Sequence, residues 1–172
     1  RLSTEHSAYL KESAHQPVHW WPWCDQAFDA AKNQKKLILV DVGASWCHWC
    51  HVMDKENYEA PSTAQLINTH FIAVKVDRDE RPDIDRRLQD AVASLTGQGG
   101  WPLTVILTPD GRPFFGGPYF PPTPRYGMPS FHQVLEQIKD HHESRLSETI
   151  EVGRAILDHL RQQATPSGTP QP

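Results

Sequence analysis

The chain has 172 residues, of which 38% are hydrophobic and 22% are charged, and its formal net charge is -4. These values are typical of a globular protein that is large enough to bury its own core, and they give no reason to expect nucleic acid as a partner. Three cysteines are too few for a disulfide scaffold, and no stretch approaches the roughly 20 continuous apolar residues of a membrane span.

The first 24 residues predict an extended arm laid over the core. They are polar at first and then crowded with proline and tryptophan, at Pro17, Trp20, Trp21, Pro22 and Trp23. We expect helix to begin only after this arm. Residues 1–16 are too polar for a signal peptide, which favours the cytoplasm, or the periplasm or exterior if a signal was removed before Arg1.

Helix and strand then alternate. Asp25 is a candidate N-cap for a first helix that ends near a group of lysines. The run LILVDVG, Leu37 to Gly43, is apolar and β-branched, which predicts a buried strand. After two cysteines, the chain is expected to be helical to about Tyr58, and Pro61 can open another helix.

A second strand is predicted at Phe71 to Asp77, where valines alternate with Lys75. Apolar residues then recur at helical spacing from Asp83 to Leu95, and Gly97 ends that run. A β-rich run, a turn at 109–111 and a second short strand predict a hairpin.

Ser130 and Gln133 form a capping-box pattern at the start of a closing helix. Helical spacing continues loosely through 144–163, which we interpret as a helical extension. Residues 164–172, rich in proline, serine and threonine, are expected to be a disordered tail or a linker.

This order of elements predicts an α/β fold. Strands that alternate with helices imply a parallel component, and the hairpin adds antiparallel strands, so the sheet is expected to be mixed and covered by helices on both faces. That order resembles the order of elements in the thioredoxin fold.

The stretch GASWCHWCHVM, residues 43–53, holds two cysteines at the spacing of a redox dithiol. Cys47 is predicted just past a buried strand and in the first turn of a helix, where backbone N–H groups and the helix dipole lower a thiol pKa below about 8.5. Cys47 is therefore the predicted nucleophile. Cys50, nearly one turn later and less exposed, is the predicted resolving thiol.

Three other interpretations of the cysteines remain open. Cys-x-x-Cys-His is also the signature of haem attachment, with Met53 or Met128 as a distal ligand. Zinc could use both cysteines and two of His48, His51 and Cys24, although a second spaced pair is missing. A docking module with structural thiols could use the charged run 77–85, which is more simply a loop and a helix start. We predict neither a cofactor nor a metal.

The segment LILVDVGASWCHWC resembles the thioredoxin active-site segment, in which an aspartate lies six residues before the first cysteine and a tryptophan directly precedes it. Asp41 and Trp46 occupy these positions. The resemblance implies that Asp41 is a buried carboxylate with a raised pKa that helps to move the proton of Cys50. The residues alone allow equally a strand end that is hydrogen-bonded to a turn. The resemblance also implies a cis-proline, for which Pro102, after Trp101, is the candidate.

Five longer segments resemble the amino-terminal thioredoxin-like domain of the spermatogenesis-associated protein 20 family, also called the YyaL type. The match runs from about residue 2 to 140, and it implies a thioredoxin-like domain over 25–143. Relatives usually continue into a larger helical domain that resembles sugar-processing enzymes. The segments are SAYLKESAHQPVHWWPW, SWCHWCHVM, VKVDRDERPDID, TGQGGWPLTVILTPDGRPFFGGPYFPP and PSFHQVL.

The expected function is that of a thiol-disulfide oxidoreductase acting on protein or small-molecule disulfides. Trp46, Trp101 and Pro102 are expected to shape its substrate-binding surface. An imidazolium at His48 would stabilise the Cys47 thiolate and raise the reduction potential to about -230 to -180 mV. Trp49 either packs on its helix or contacts the substrate. The residue after Pro22-Trp23 is Cys24, where the family resemblance implies a small residue; we interpret it as a partly buried residue at a helix start, or else as a third redox thiol.

Overall fold

A computed structural model describes residues 1–164, with side chains to residue 145 and at Ala155 and His159. Contacts divide it into a unit of Arg1–Glu136 and a second unit that begins at Gln137. The predicted tail 164–172 lies outside the described residues beyond Ala164. The described residues form four strands, β1 (Leu37–Gly43), β2 (Phe71–Asp77), β3 (Leu103–Leu107) and β4 (Pro113–Gly117), and six α-helices, α1 (Ala8–Glu12), α2 (Asp25–Gln34), α3 (His48–Met53), α4 (Pro61–His70), α5 (Pro82–Thr96) and α6 (Phe131–Ala164).

The strands form one mixed sheet, as predicted, and their order in it is β2-β1-β3-β4. β1 pairs with β2 in parallel and with β3 in antiparallel orientation, and β3 pairs antiparallel with β4. The register places Asp41 of the central strand opposite Lys75 on one side and Thr104 on the other. Paired residues point to the same face of a sheet, so three polar side chains lie in one row across its middle.

One face of the sheet carries an apolar core. Alternate residues of β1, β2 and β3 pack there against residues of α2 and α5. The buried cluster consists of Ala27, Ala31, Ile38, Val40, Val42, Ile72, Val74, Val76, Ile84, Leu88, Val92, Leu103, Val105 and Leu107.

Helices also cover the opposite face, as the order of elements predicts. Lys75, the polar member of the alternation in β2, is therefore fully buried. Tyr9 of α1 and Tyr58, in a turn of π-helix at Asp54–Tyr58, lie over it. The strand is predicted correctly, but its polar position faces a second packed layer because both faces of the sheet are covered.

The expectation that the amino-terminal arm lacks helix is wrong. A 3-10 turn spans Leu2–Thr4, and α1 follows, with Ser7 as its N-cap: the Ser7 hydroxyl accepts a hydrogen bond from the Leu10 N–H at 3.2 Å. The Ser7 hydroxyl also donates to Asp77 Oδ2 at 2.6 Å. This short helix exists because its cap is tied to β2 and its apolar residues are buried, which local sequence spacing does not reveal.

The arm ends along the outer edge of β2. Trp21 forms a single parallel bridge with Val74, in which its N–H donates to the Ala73 carbonyl at 2.8 Å and its carbonyl accepts from the Lys75 N–H at 2.9 Å. Trp20 is buried next to this bridge. The exposed edge of the sheet is therefore partly covered by the arm.

The remaining boundaries agree closely with the sequence. α2 begins at Asp25, with Cys24 rather than Asp25 as its N-cap. Gly97 ends α5 in the left-handed conformation, at φ 78°. Ser130 and Gln133 exchange reciprocal hydrogen bonds of 3.0 and 3.1 Å ahead of α6, which confirms the capping box. Among the described residues, no helix combines the length and the apolar character that crossing a membrane requires.

Candidate functional site

The turn between β1 and α3 places the two cysteines. Cys47 is the N-cap of α3, and its sulfur accepts a hydrogen bond from the Cys50 N–H at 3.2 Å. The two residues are joined by a disulfide, with their Cα atoms 5.2 Å apart. Cys47 keeps 6% of its surface exposed and Cys50 keeps none, so a partner can reach only Cys47.

Asp41 lies fully buried on β1, and one oxygen of its carboxylate makes two polar contacts. Its Oδ2 accepts a hydrogen bond from the Tyr9 hydroxyl at 2.7 Å and lies 3.1 Å from Lys75 Nζ. Its Oδ1 has no hydrogen-bond partner among the described residues. The alternative in which Asp41 bonds to a neighbouring turn is not what these contacts describe, because its partners come from α1 and β2.

Burial raises the pKa of the Asp41 carboxyl, and the negative charge of Asp54 raises it further, although Lys75 opposes both effects. A raised pKa means that the Asp41 carboxyl keeps its proton to a higher pH than an exposed aspartate does. The unpartnered Oδ1 is the oxygen on which such a proton can reside.

Lys75 is shared between two carboxylates. Its ammonium lies 2.8 Å from Asp54 Oδ1 and sits among the rings of Tyr9, Trp20 and Tyr58, with centroid distances of 4.9, 4.6 and 5.2 Å. Burial alone would lower the pKa of Lys75, but the charges of Asp41 and Asp54 outweigh it and hold the pKa above its usual value. With one cation for two acids, the buried cluster is neutral when one carboxyl keeps a proton.

Gly43, at the end of β1, is the point where the dithiol meets the arm. A Cβ atom at this position would lie 2.7 Å from Cys50 Sγ and would overlap the Tyr9 hydroxyl. No side chain fits there, so the glycine allows the Tyr9 hydroxyl and the Cys50 sulfur to approach the same spot.

The Trp101–Pro102 peptide bond is cis, as the resemblance to thioredoxins implies. Trp101 and Trp46 are exposed by 38% and 59%, and their rings meet edge to face with centroids 6.1 Å apart. These residues form an aromatic surface next to the turn that carries Cys47.

The charged run 77–85 holds this aromatic surface in place. The Trp46 indole N–H donates to Asp79 Oδ2 at 2.7 Å, and the Trp101 indole N–H donates to Asp85 Oδ1 at 2.8 Å. The Arg78 guanidinium lies 4.8 Å from the centre of the Trp101 ring. The run is a loop and a helix start, as the sequence indicates, and it additionally orients both tryptophans.

The residues between the cysteines face outwards. His48 is exposed at the first position of α3 and meets the edge of Trp49 at 5.6 Å. Trp49 is 49% exposed and packs on Tyr119 at 5.1 Å, which leaves the other part of its ring available to a partner. His51 Nε2 lies 2.6 Å from the Ser45 carbonyl oxygen, within the turn that carries Cys47.

Cys24 lies apart from the dithiol. It is a free, partly buried thiol that packs against the apolar core between the sheet and α2, whereas Cys50 and Gly43 are on the opposite face. Among the side chains that the structure describes, no three from His, Cys, Asp or Glu are grouped so that they could hold a metal ion. Met53, considered above as a distal haem ligand, is buried, and its sulfur accepts a hydrogen bond from Asn57 at 3.3 Å.

Sequence reasoning missed three members of the site, Tyr9, Asp54 and Lys75. Lys75 carried a usable signal, because a charged residue in the middle of a strand opposite Asp41 must find a buried partner. Asp54 follows Cys50 by four positions and therefore falls on the same side of the helical segment. Tyr9 left no such signal, since it comes from the arm.

Comparisons with known proteins agree with this geometry. A family model described as "Thioredox_DsbH: Protein of unknown function, DUF255" matches residues 1–161. Human spermatogenesis-associated protein 20 is 41% identical over 160 residues, which are 93% of this chain and 20% of that protein. Thioredoxin H2-1 of Oryza sativa subsp. japonica is 33% identical over 101 residues, which are 58% of this chain and 70% of that protein.

Among solved structures, a thioredoxin from Thermus thermophilus superposes with a TM-score of 0.52 and 21% identity, over 71% of this chain and 87% of that one. This likeness supports the thioredoxin-like fold. The chain spans about a fifth of the length of the curated relatives from nematode and mammals, which is consistent with further domains in those proteins.

Proposed function

The chain belongs to the Thioredox_DsbH (DUF255) family, and from that premise and the geometry of its dithiol we propose that it exchanges disulfides with protein or small-thiol partners, reducing, forming or isomerising them. One observation carries the proposal. A cysteine that caps a helix is joined to a buried second cysteine, beside a buried carboxyl whose pKa is raised. This arrangement suits a thiolate nucleophile, a resolving thiol and a proton acceptor.

The proposed cycle begins with both cysteines reduced. Thiolate Cys47 attacks one sulfur of the partner disulfide, a mixed disulfide forms, and the other partner sulfur leaves as a thiolate. Cys50 then loses its proton towards Asp41 and attacks the Cys47 sulfur, so the Cys47–Cys50 disulfide forms and the partner leaves with both electrons. The same steps in reverse oxidise a partner dithiol.

The surroundings of Cys47 support roles in binding and tuning. Trp46, Trp101 and the cis-Pro102 form the surface on which an extended partner segment would lie. His48 and Trp49 are the exposed residues closest in sequence to both sulfurs. A positive charge at His48 would favour the Cys47 thiolate and hence the reduced form, which raises the potential.

Insulin reduction with dithiothreitol as electron donor tests the proposal. We expect the wild-type chain to accelerate the reaction, Cys47→Ser to abolish the acceleration, and Cys24→Ser, which removes the thiol on the other sheet face, to leave it unchanged. Cys50→Ser should retain partners as mixed disulfides on Cys47. If the wild type is no faster than Cys47→Ser, the chain is a docking or regulatory module whose dithiol is not turned over.

A further inference from the structure

The hydroxyl of Tyr9 occupies a position that the cycle described above does not use. It is fully buried, it donates a hydrogen bond to Asp41 Oδ2 at 2.7 Å, and both it and Cys50 Sγ border the position that a Cβ atom of Gly43 would occupy. It therefore lies beside both the resolving sulfur and the carboxylate. Its place is fixed by α1, whose cap Ser7 is bound to Asp77 at the end of β2.

The other groups that face Asp41 do not provide this connection. Lys75 of β2 is engaged by Asp41 and Asp54, and Asp54 carries a charge of the same sign as Asp41. Tyr58 packs over Lys75, but its hydroxyl has no hydrogen-bond partner within the described part of the chain. Of the titratable side chains around Asp41, Tyr9 combines a hydrogen bond to the carboxylate with an approach to Cys50.

We propose that Tyr9 is a further catalytic residue, contributed by the amino-terminal arm, whose hydroxyl passes the proton of Cys50 to Asp41 in the resolving step. The inference rests on the function proposed above. As the Cys50 S–H bond breaks, its proton goes to the Tyr9 oxygen, while the Tyr9 O–H proton goes to the Asp41 carboxylate. The Cys50 thiolate then attacks the Cys47 sulfur, and the partner sulfur leaves with the electron pair of the mixed disulfide.

The chemistry of the phenol fits this role. Burial, followed by the charges of Asp41 and Asp54, raises the pKa of Tyr9 well above its usual value, so the hydroxyl keeps a proton at neutral pH. The hydroxyl can therefore give its proton to one group only while it receives a proton from another. A position between a thiol and a carboxylate allows both transfers. The arm would then be part of the catalytic site as well as a cover for the sheet.

The two halves of the reaction can be followed separately with 5,5'-dithiobis(2-nitrobenzoate). Attack by Cys47 releases one coloured thiolate, and resolution by Cys50 releases a second. We expect Tyr9→Phe to leave the first release at the wild-type rate and to slow the second about 100-fold at neutral pH, the lower end of the range for loss of a proton-transfer group. Tyr58→Phe, which removes a hydroxyl from the same buried cluster, should leave both rates unchanged.

A merely structural effect of Tyr9 is distinguished by two further measurements. In the Asp41→Asn background, Tyr9→Phe should slow the second release no further, because the relay has already lost its acceptor. In Tyr9→Phe, the rate of the second release should also no longer rise with pH as Asp41 ionises. Its remaining pH dependence should be that of the Cys50 thiol alone. If Tyr9→Phe does not fold, Ser7→Ala, which frees α1 from Asp77, should slow the second release selectively but by a smaller factor.

The outcomes separate the two proposals. A second release at the wild-type rate in Tyr9→Phe, or equal slowing of both releases, overturns the relay and leaves the oxidoreductase proposal standing. A wild-type protein that gives no first release above the Cys47→Ser level overturns the proposed function and the relay with it.

Discussion

Asp41 is the proposed proton acceptor, and its ionisation in the buried site lowers the stability of the folded protein. Burial, and then Asp54, raise its pKa, so the folded protein binds a proton at Asp41 more tightly than the unfolded chain does. Such a group costs no stability below its unfolded pKa of about 3.9, and the cost grows as the pH rises through the folded pKa. Lys75 then balances Asp54 more fully once Asp41 is neutral.

Asp41→Asn is therefore expected to stabilise the protein at pH 7 while it slows the second release of the dithiobis assay. The free energy of unfolding should rise by about 1.4 kcal/mol for each unit by which folding raises the pKa of Asp41, and the gain should vanish near pH 3.5. Urea unfolding at both pH values measures this difference. Asp90→Asn, at an exposed position of α5, is the control. A variant that is less stable than the wild type at pH 7 would mean that Lys75 and Tyr9 favour the ionised form.

His48 is the residue at which the potential of the dithiol is expected to be set. It is exposed at the first position of α3, directly after Cys47. His48→Ala should lower the reduction potential from the proposed range of about -230 to -180 mV towards about -270 mV, because the reduced form loses a cation near the Cys47 thiolate. Equilibration with glutathione gives the value. His51→Ala, one position beyond Cys50, is the comparison, and equal potentials in all three proteins would remove His48 from this role.

At the level of elements, the strands were the most predictable part of the chain. Leu37–Gly43 and Phe71–Asp77 were predicted with the bounds that the structure has, because apolar, β-branched runs between helix signals are characteristic of strands buried on both faces. Burial on both faces also buries Lys75, the polar member of the alternation in Phe71–Asp77. A local pattern identifies a strand, but it does not say which residues will contact a buried charge.

The arm and the buried cluster illustrate what the sequence alone could not provide. α1 is five residues long, too short to persist by propensity, and it depends on contacts made by Ser7 and Tyr9 with residues far along the chain. The Tyr9–Asp41 and Lys75–Asp54 contacts span 32 and 21 residues. Both contacts end on the Asp41–Lys75 pair, which the register of β1 against β2 brings together, so they depend on the assembled sheet.

Substitution of Trp20 tests whether the amino-terminal arm contributes to the stability of the fold. Its buried ring packs on Tyr58 at 4.8 Å and lies over the Lys75 ammonium. Trp20→Ala is expected to lower the free energy of unfolding by about 3–5 kcal/mol, because it leaves a cavity beside a buried charge. Trp49→Ala, at a half-exposed position, should cost about 1 kcal/mol or less. Urea unfolding measures both, and similar small losses would show that the arm is not needed for stability.

Across the compact unit of residues 1–136, the two sheet faces differ in kind. The face covered by α2 and α5 is apolar, while the face covered by α1 and α3 carries a buried acid pair, a lysine and the resolving sulfur. The first suits stability and the second suits proton transfer. This division also explains why Cys24, on the apolar side, is not expected to exchange with Cys47.

The exposed aromatic residues of this unit predict how it selects partners. Trp46, Trp49 and Trp101 lie around the dithiol, at the end of the sheet where β1 finishes, whereas Phe114 is exposed on β4 near the opposite end. Large exposed aromatic rings beside a reactive sulfur provide contact area for a polypeptide, and a small disulfide leaves most of it unused. The molecule is therefore expected to prefer protein disulfides.

Trp46→Ala should lower kcat/KM for insulin about tenfold, equivalent to about 1.4 kcal/mol of lost contact, and should change kcat/KM for hydroxyethyl disulfide less than twofold. Phe114→Ala should alter neither value, because it removes an exposed ring of similar character from the far end of the sheet. An equal loss with both substrates would mean that Trp46 acts on the dithiol itself, through the turn that Asp79 holds. No loss with insulin would mean that protein partners dock on another surface, and the orientation of both tryptophans by the charged run would then need a different explanation.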